Sequence, residues 1–390
     1  MLEEFTVDNF KSLVNVTFCP RELNLLLGAN NSGKTSLCHA MRFLSGTTRL
    51  LLSECAIQTA GALFELPNYD RNEESIRFRV KARVPFRDVS LCFEYALSMG
   101  FRSFTSGSPM LGVEEETLRV TGPDFEDVAL LRNTWGSVSL LDESTHADGE
   151  TKHITLTASP DTTMLKNVYD VDLHARAHCF RSYLFNWQYY DLWPSALRKP
   201  GHGSAETWLD TNGGNLASMI YRLKTSNERR YRHLLECLQS IDDTIDVINF
   251  NVGSGKTIFM YFEDREGNSL SAETASHGTM RFLAMLYVIL GQPALVTSPL
   301  IMIEEPENGI YVGFLRELLA FFEQAEMRPQ LVFTSHSPYF IDLFDDRLDS
   351  IFILKRQKQR STITQPDVEQ VQDRLEKYPL GEQHFREMLG

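Results

Sequence analysis

The sequence predicts an α/β protein with an antiparallel, β-rich lobe and an inserted helical region. The apolar segment Leu23–Leu27 runs into a glycine-rich turn, and a helix-like segment follows over Lys34–Leu44. Between residues 76 and 157 apolar and polar residues alternate in several short runs, as in strands with one buried face. Leu, Ile and Met then recur at helical spacing over Gly213–Lys224 and Glu228–Ile241.

The other strands follow from the same patterning. Short apolar runs over Glu3–Val7 and Leu13–Phe18 predict strands ahead of the glycine-rich turn. Along Ile76–Val84 the apolar side chains share one face, and Arg and Lys alternate with them on the other. The further strands predicted in this lobe are Val89–Leu97, Thr117–Thr121, Val128–Leu131, Ser137–Leu141 and His153–Thr157.

The chain is divided by these patterns into three segments. Residues 1–203 are predicted to form an N-terminal lobe that holds the glycine-rich turn and the β-rich part. Residues 204–245 are predicted to be the helical insertion. Residues 246–390, where strands return and a βαβ-like pattern follows, are predicted to form a C-terminal lobe.

The composition is that of a folded, acidic protein. Of 390 residues, 43% are hydrophobic and 23% are charged, which excludes disordered and fibrous classes. Lys and Arg number 38 and Asp and Glu 52, so the formal net charge is −14. A chain this acidic can contact nucleic acid only through a local basic patch.

Targeting segments and cysteine clusters are not predicted. The six cysteines form no C-x-x-C pair, and Met1–Glu4 is acidic and lacks a signal-peptide pattern. Phe282–Ile303 is uncharged and long enough to span a membrane, but Pro293 and Pro299 interrupt it. We therefore expect a buried helix, a loop and a buried strand there, in a cytoplasmic protein without a membrane partner.

The glycine-rich turn is predicted to bind phosphate. Residues 28–35 fit the pattern G-x-x-x-x-G-K-[ST] in full, between a strand and a helix. Glycines let backbone N–H groups point at phosphate oxygens, and the helix N-terminus adds positive potential. Lys34 is expected to reach the β- and γ-phosphates, and the Thr35 hydroxyl is expected to bind Mg²⁺. The expected nucleotide contacts are Gly28, Asn30, Asn31, Ser32, Gly33, Lys34, Thr35 and Ser36.

A second G-K-T sequence does not fit this pattern. It lies in Gly253–Thr257, where the first glycine would have to be at position 250, and that residue is Phe250. The segment leads into Ile258–Phe262, which has the pattern of a strand rather than a helix. A hairpin turn is therefore predicted here.

An acid pair follows a buried strand further along the chain. The apolar run Leu300–Ile303 ends in Glu304-Glu305-Pro306, which is the Walker B arrangement. Glu304 is expected to hold Mg²⁺ through water, and Glu305 to orient or deprotonate the attacking water. The alternative, an exposed acidic strand end, is disfavoured because the same chain carries a phosphate loop.

Two further motifs lie on either side of the acid pair. After it, the strand Gln330–Phe333 ends in Thr-Ser-His-Ser-Pro, where His336 is placed to sense a γ-phosphate. Before it, Ser276 and Gly278 open a helix and so form a second anion-binding N-terminus. One nucleotide does not need two such sites, so we expect the second to close over the nucleotide of another copy.

The motifs and their order resemble the ATP-binding-cassette (ABC) type ATPases of the RecF, SMC and OLD group, and stand-alone OLD-like members most of all. The resemblance covers nearly the whole chain and implies an ABC-type fold with a P-loop core. The segments that carry it are Phe10–Leu13, Gly28–Thr35, Thr211–Ala217, Ala275–Arg281, Ile303–Val312 and Thr334–Pro338.

Residue roles and cofactors follow from the resemblance. It implies that Ser276 and Gly278 act in trans on the γ-phosphate held by a partner copy. Glu305 is then the catalytic base, His336 the switch histidine, and ATP and Mg²⁺ are the cofactors. The magnesium acid is Glu304, where transporter cassettes commonly have Asp.

The sequence departs from the group's pattern at positions that concern the rate of ATP hydrolysis rather than the binding of the nucleotide. His277 stands where the group usually has Asp or Gly, and Tyr311-Val312 replaces the usual His-Pro. The glutamine of the Q-loop is not identified: Gln188 is one candidate, and an ordinary aromatic core segment is the alternative.

The function implied by the resemblance is control of a separate effector protein, a nuclease or a toxin, in anti-phage defence. The chain would act as a homodimer or a larger homo-oligomer around ATP. Two alternatives remain: a nucleotide-loaded scaffold with little turnover that holds a partner protein, and a RecF-like DNA-repair ATPase that clamps DNA. The net charge of −14 counts against the second alternative.

A basic run near the C-terminus has two interpretations. Lys355–Arg360 lies between the strand-like segments Ser350–Leu354 and Ser361–Thr364, so it is predicted to be a hairpin tip. Such a tip is either a solvated turn or a docking point for an acidic partner or nucleic acid.

Overall fold

The computed structural model describes residues 1–71, 74–103, 109–145, 152–203, 207–291, 299–325, 328–386 and 388–389. Over these residues the chain forms two compact units. Unit 1 consists of residues 1–187 and 349–366, and unit 2 of residues 188–348 and 367–389. The three segments predicted from the sequence, with boundaries after residues 203 and 245, stay a prediction.

The chain contains runs of consecutive strands, such as β4 to β9, as well as helices between strands. The strands of the described residues are β1 (Leu2–Asp8), β2 (Val16–Phe18), β3 (Leu23–Leu27), β4 (Ile76–Phe86), β5 (Val89–Ser103), β6 (Pro109–Gly122), β7 (Phe125–Thr134), β8 (Ser137–Asp142), β9 (Lys152–Thr157), β10 (Gln188–Tyr190), β11 (Gly201–His202), β12 (Val247–Val252), β13 (Thr257–Glu263), β14 (Ser269–Ser271), β15 (Leu300–Glu304), β16 (Gln330–Thr334), β17 (Ile351–Gln357) and β18 (Arg360–Thr364). The helices are α1 (Lys34–Gly46), α2 (Leu52–Ala60), α3 (Ala175–Phe185), α4 (Pro194–Leu197), α5 (Leu216–Ser226), α6 (Glu228–Gln239), α7 (His277–Leu286), α8 (Val312–Gln324), α9 (Pro338–Ile341), α10 (Val368–Leu375) and α11 (Leu380–Phe385).

Unit 1 contains the predicted antiparallel, β-rich part. Its strands follow the order β2-β1-β4-β5-β6-β7-β8-β9, and each neighbouring pair is antiparallel. Along β4 buried and exposed residues alternate, as the sequence pattern predicted. Helix α1 packs against this sheet, because the Phe43 ring stacks on the Phe78 ring with centroids 5.8 Å apart.

A second group of strands in unit 1 supports the turn that precedes α1. β3 is buried along its whole length and pairs in parallel with β17, with Leu25 opposite Ile351. β17 and β18 form an antiparallel hairpin, which confirms the hairpin predicted around Lys355–Arg360. These strands hold the end of β3 in place, and the glycine-rich turn starts there.

The predicted strand over Leu13–Phe18 is shorter in the structure and covers only Val16–Phe18. Lys11 and Asn15 have φ values of 50° and 52°, which a strand cannot accommodate. The Asn15 backbone N–H donates to the Asp8 carboxylate at 3.1 Å, so a side chain rather than a strand neighbour satisfies it. A local turn therefore replaces the first half of the strand.

Unit 2 contains a parallel arrangement in which β15 lies between β10 and β16. Glu304 at the end of β15 lies opposite Thr334 at the end of β16. Strands β12 and β13 form a hairpin whose turn contains Ser254–Lys256, so the second G-K-T sequence is indeed a hairpin turn. Helix α7 ends in a π-helical turn over Tyr287–Gly291, and the loop predicted around Pro293 lies outside the described residues.

Among the described residues, no helix combines the length and the apolar character that crossing a membrane requires.

Candidate functional site

Residues 28–33 form the turn between β3 and α1, Lys34 and Thr35 begin α1, and all of them belong to unit 1. Gly28 and Gly33 have φ values of 146° and 110°, which side-chain-bearing residues rarely adopt. A Cβ atom on Gly28 would lie 2.2 Å from the Leu354 carbonyl oxygen, and one on Gly33 would lie 2.5 Å from Ser361 Oγ. Both glycines are therefore required, for their backbone conformation and for space.

The lysine of this loop lies across the loop itself. Lys34 is buried, and its Nζ donates to the carbonyl oxygens of Gly28 at 2.7 Å and Ala29 at 3.2 Å. Helix α1 starts here with no side-chain cap and no acidic residue in its first turn. The positive end of the helix and the ammonium group therefore act on the same loop.

The chemistry of the loop fits a bound phosphate. The Ser32 hydroxyl oxygen is buried and has no hydrogen-bond partner among the described residues, so it is a donor that a phosphate oxygen would satisfy. Thr35 is exposed at the first turn of α1 and Ser36 is half-buried. Asn30 and Asn31 are exposed on the loop. All the predicted nucleotide contacts thus lie on the turn or in the first turn of α1.

The acid pair lies in unit 2, where β15 ends. Glu304 is the last residue of β15, and Glu305 follows with a φ of 42°, in the left-handed region. The Glu305 backbone N–H donates to the carbonyl oxygen and to Oγ1 of Thr334, at 3.1 and 3.2 Å. Because a non-glycine residue rarely keeps such a φ, these bonds from the neighbouring strand end fix the direction of the chain at Glu305.

The Glu305 carboxylate lies between an amide and an imidazole. The Asn308 side-chain amide donates to Glu305 Oε2. His336 Nε2 lies 3.9 Å from Glu305 Oε1, and both side chains are partly exposed. The structure therefore brings together the predicted base and the predicted switch histidine.

A third acid, Glu307, organises the segment that carries His336. Its Oε1 accepts hydrogen bonds from the Ser335 hydroxyl at 2.5 Å, from the His336 N–H at 3.1 Å and from the Ser337 N–H at 3.2 Å. These are the bonds that keep the backbone on either side of His336 in one conformation. Sequence reasoning missed Glu307, although a third acid two residues after the pair was a usable signal.

Helix α7 also holds the acid pair; we call its start at Ser276–Gly278 the signature turn. Arg281 on α7 is buried, and its Nη2 donates to the carbonyl oxygens of Glu304 at 3.3 Å and Glu305 at 2.8 Å. Burial lowers the pKa of the Arg281 guanidinium, while nearby acids, including Glu305 and Glu307, act in the opposite direction. The sequence offered no signal for this contact, since it depends on how α7 packs.

Ser276 caps the N-terminus of α7, as the signature pattern predicted. Its Oγ accepts a hydrogen bond from the Thr279 N–H at 3.0 Å. A Cβ on Gly278 would lie 3.2 Å from the Gly309 carbonyl oxygen, so the signature turn packs closely on the turn after the acid pair. Ser276 and His277 are exposed at this helix start.

The candidate residues thus form two groups, one in each unit. The phosphate loop is in unit 1. Unit 2 brings together the acid pair, His336 and the signature turn with Ser276 and Gly278. Gln188, the Q-loop candidate, is buried on β10 and lies opposite Ile301 of β15.

Solved structures of similar fold include the head domains of SMC proteins. An SMC head bound to the C-winged helix domain of ScpA has a TM-score of 0.53 at 10% identity, and the match covers 95% of this chain and 99% of that chain. The SMC head domain from Thermotoga maritima has a TM-score of 0.45 at 9% identity, with coverage of 94% and 99%. No curated protein matches this chain.

The chain has the mixed α/β fold of the SMC head domain. A family model described as "AAA domain, putative AbiEii toxin, Type IV TA system" matches residues 148–342, which is half of the chain. The chain belongs to this family.

Proposed function

We propose that this chain binds ATP with Mg²⁺ and hydrolyses it. The observation that carries the proposal is the phosphate loop, where Lys34, the uncapped start of α1 and the Ser32 hydroxyl act on one turn. This combination of a cation, a helix N-terminus and a hydroxyl suits the phosphates of a nucleotide.

Different residues of the chain have different roles in the hydrolysis of ATP. Mg²⁺ would be held by the Thr35 hydroxyl and by Glu304, and when bound it neutralises charge on the phosphates. Glu305 takes the proton of the attacking water, and Asn308 and His336 on either side orient its carboxylate. His336 also senses the γ-phosphate.

We further propose that two copies close around ATP. Ser276 and Gly278 then contribute the α7 N-terminus to the γ-phosphate bound by the other copy. The exposure of Ser276 and His277 at this helix start supports the proposal, because a trans contact needs an accessible surface. The assembly is a homodimer or a larger homo-oligomer.

The biological role that we propose is control of a separate effector, a nuclease or a toxin, in anti-phage defence in the cytoplasm. The description of the family, which refers to a putative toxin and a type IV TA system, supports a toxin-linked role. A scaffold that holds its partner with little turnover is the second candidate. It is favoured by Tyr311, which is 70% exposed where OLD-like ATPases usually have His.

Nucleotide binding and turnover test the biochemical part. Lys34→Ala should abolish tight binding of a fluorescent ATP analogue, whereas Lys199→Ala, which removes an exposed lysine elsewhere, should bind like wild type. Wild-type affinity in Lys34→Ala would contradict the phosphate-loop assignment. Phosphate release by the wild-type chain supports the ATPase, and tight binding without release supports the scaffold.

Partner capture tests the biological part. The tagged chain is purified from its native host with a non-hydrolysable ATP analogue, in parallel with Lys34→Ala. A nuclease or toxin that co-purifies with the wild type and not with the variant supports effector control. If both preparations retain the same proteins, or neither retains an effector, the proposed control by nucleotide is wrong.

A further inference from the structure

The basic hairpin of β17 and β18 packs against the phosphate loop. The Leu354 carbonyl oxygen on β17 lies so close to Gly28 that a Cβ there would be 2.2 Å away. On the other strand Ser361 lies against Gly33, with 2.9 Å between its Cβ and a Cβ placed on that glycine. Both glycines of the loop therefore rest on this one hairpin.

The hairpin is itself anchored on the side away from the loop. Ser361 donates its backbone N–H to the Ser12 carbonyl oxygen at 2.7 Å and its hydroxyl to Ser12 Oγ at 2.8 Å. The Asn68 side-chain amide donates to the Gln359 carbonyl oxygen at 2.7 Å. The hairpin is thus held in place at Gln359 and Ser361, although Lys355, Lys358 and Arg360 are exposed.

One arginine of the hairpin reaches the loop. Arg356 Nη1 donates to Asn31 Oδ1 at 2.6 Å. Its other nitrogens are used within the hairpin turn: Nε donates to the Lys358 carbonyl oxygen at 3.0 Å, and Nη2 donates to Gln359 Oε1. Because the turn itself holds the guanidinium, its orientation toward Asn31 is set in advance.

Within residues 28–33, Asn31 is the non-glycine residue whose backbone has a positive φ. It is exposed and has a φ of 66°, in the left-handed region that Asn tolerates better than most residues but still at some cost. The hydrogen bond from Arg356 fixes its side chain and therefore the outer part of the loop. A charged donor makes this bond stronger than a neutral one.

We propose that Arg356 is a positioning residue for nucleotide binding. It holds Asn31 in the conformation that binds phosphate. This inference rests on the proposed function, because it concerns the affinity of the same nucleotide site. It gives Arg356, one residue of the basic run, a role in the nucleotide site, and the docking point considered from the sequence stays a prediction.

Lys355 supplies a matched control. It is adjacent to Arg356 on β17 and carries the same charge, but it is exposed and points to the opposite face of the strand. Lys355→Ala therefore removes one positive charge near the loop without removing the bond to Asn31. A difference between the two variants measures the bond and not the general electrostatic field.

The test is the affinity of the full-length chain for a fluorescent ATP analogue with Mg²⁺. Arg356→Ala should weaken binding about ten-fold, the expected loss for a pre-ordered hydrogen bond to a charged group. Lys355→Ala should stay within about two-fold of wild type. Arg356→Lys should recover only part of the loss, because a lysine keeps the charge but not the planar fork.

A double-mutant cycle with Asn31→Ala shows whether the effect passes through Asn31. If it does, Arg356→Ala combined with Asn31→Ala should bind no more weakly than the weaker single variant. A merely structural role for Arg356 predicts additive losses instead. Arg356→Gln replaces the alanine variant if thermal unfolding shows that the alanine variant is not folded.

Two results would overturn the inference: equal affinities for Arg356→Ala and Lys355→Ala, or fully additive losses in the cycle. Either result leaves the proposed function intact as long as Lys34→Ala abolishes binding. If Lys34→Ala binds like wild type, the proposed function itself fails, so the two failures can be told apart.

Discussion

His336 Nε2 lies 3.9 Å from Glu305 Oε1, at the ends of two neighbouring parallel strands. Each residue of this pair is held by its backbone: Glu305 by Thr334, and His336 by Glu307. The side chains are thereby left partly exposed and able to act on a bound group. Glu307 thus holds the backbone around His336, while the neighbouring Glu305 keeps its carboxylate available for the role of base that we propose.

The first prediction concerns the base. Glu305→Gln should bind ATP like wild type but hydrolyse it about 10²–10⁴-fold more slowly, since an amide cannot accept the proton of water. Glu317→Gln, which changes an exposed acid on α8, is the control and should not change turnover. Phosphate release in single-turnover conditions measures both. Undiminished release by Glu305→Gln would show that another group is the base.

The second prediction concerns Glu307. Glu307→Ala removes the acceptor of the Ser335 hydroxyl and of the His336 and Ser337 N–H groups. We expect ATP binding to persist and turnover to fall to the level of His336→Ala, because the imidazole loses its position. The double variant should be no slower than either single variant. Additive losses would show that Glu307 acts independently of His336.

Local patterns allowed much of this fold to be predicted. The glycine spacing predicted a tight turn between β3 and α1, and in the structure Gly28 and Gly33 have the positive φ values that such a turn needs. The alternation along Ile76–Val84 correctly indicated the buried face of β4. The run of apolar residues that ends at Glu304 likewise indicated a buried strand with acids at its end.

Contacts between segments distant in the chain could not be predicted in this way. In the sequence, Arg281 is one residue of a largely apolar helix, and no pattern indicates a role for it. In the structure, its guanidinium donates to the backbone carbonyl oxygens of Glu304 and Glu305. In the sequence, Arg356 is one of several charged residues in a basic turn. It comes within hydrogen-bond distance of Asn31 because β17 pairs with β3. Such roles depend on tertiary packing, for which a single sequence carries no periodic signal.

The third prediction concerns assembly. Ser276→Arg should leave nucleotide binding by a single chain intact but block closure, because a large cation replaces the cap of α7. Mixing Ser276→Arg chains with Lys34→Ala chains should restore activity to at most about half of wild type per heterodimer. The first chain supplies the intact phosphate loop and the second the intact Ser276, so one of the two composite sites is complete. Light scattering with a non-hydrolysable ATP analogue follows closure. A strict monomer with full ATPase activity would contradict the trans arrangement.

The last prediction concerns pH and the buried face of α1. His39 Nδ1 lies 3.0 Å from Lys11 Nζ, and burial, with Lys11 and Arg42, lowers the pKa of His39 to about 3. The unfolded chain binds this proton near pH 6.5, so between these values it holds more protons than the folded chain and stability falls as pH falls. From pH 7 to pH 5 this site should cost about 2 kcal/mol of unfolding free energy. Between the two pH values, His39→Gln should lose about 2 kcal/mol less unfolding free energy than wild type in urea titrations. An unchanged pH dependence would show that the pKa of His39 is the same in the folded and the unfolded chain.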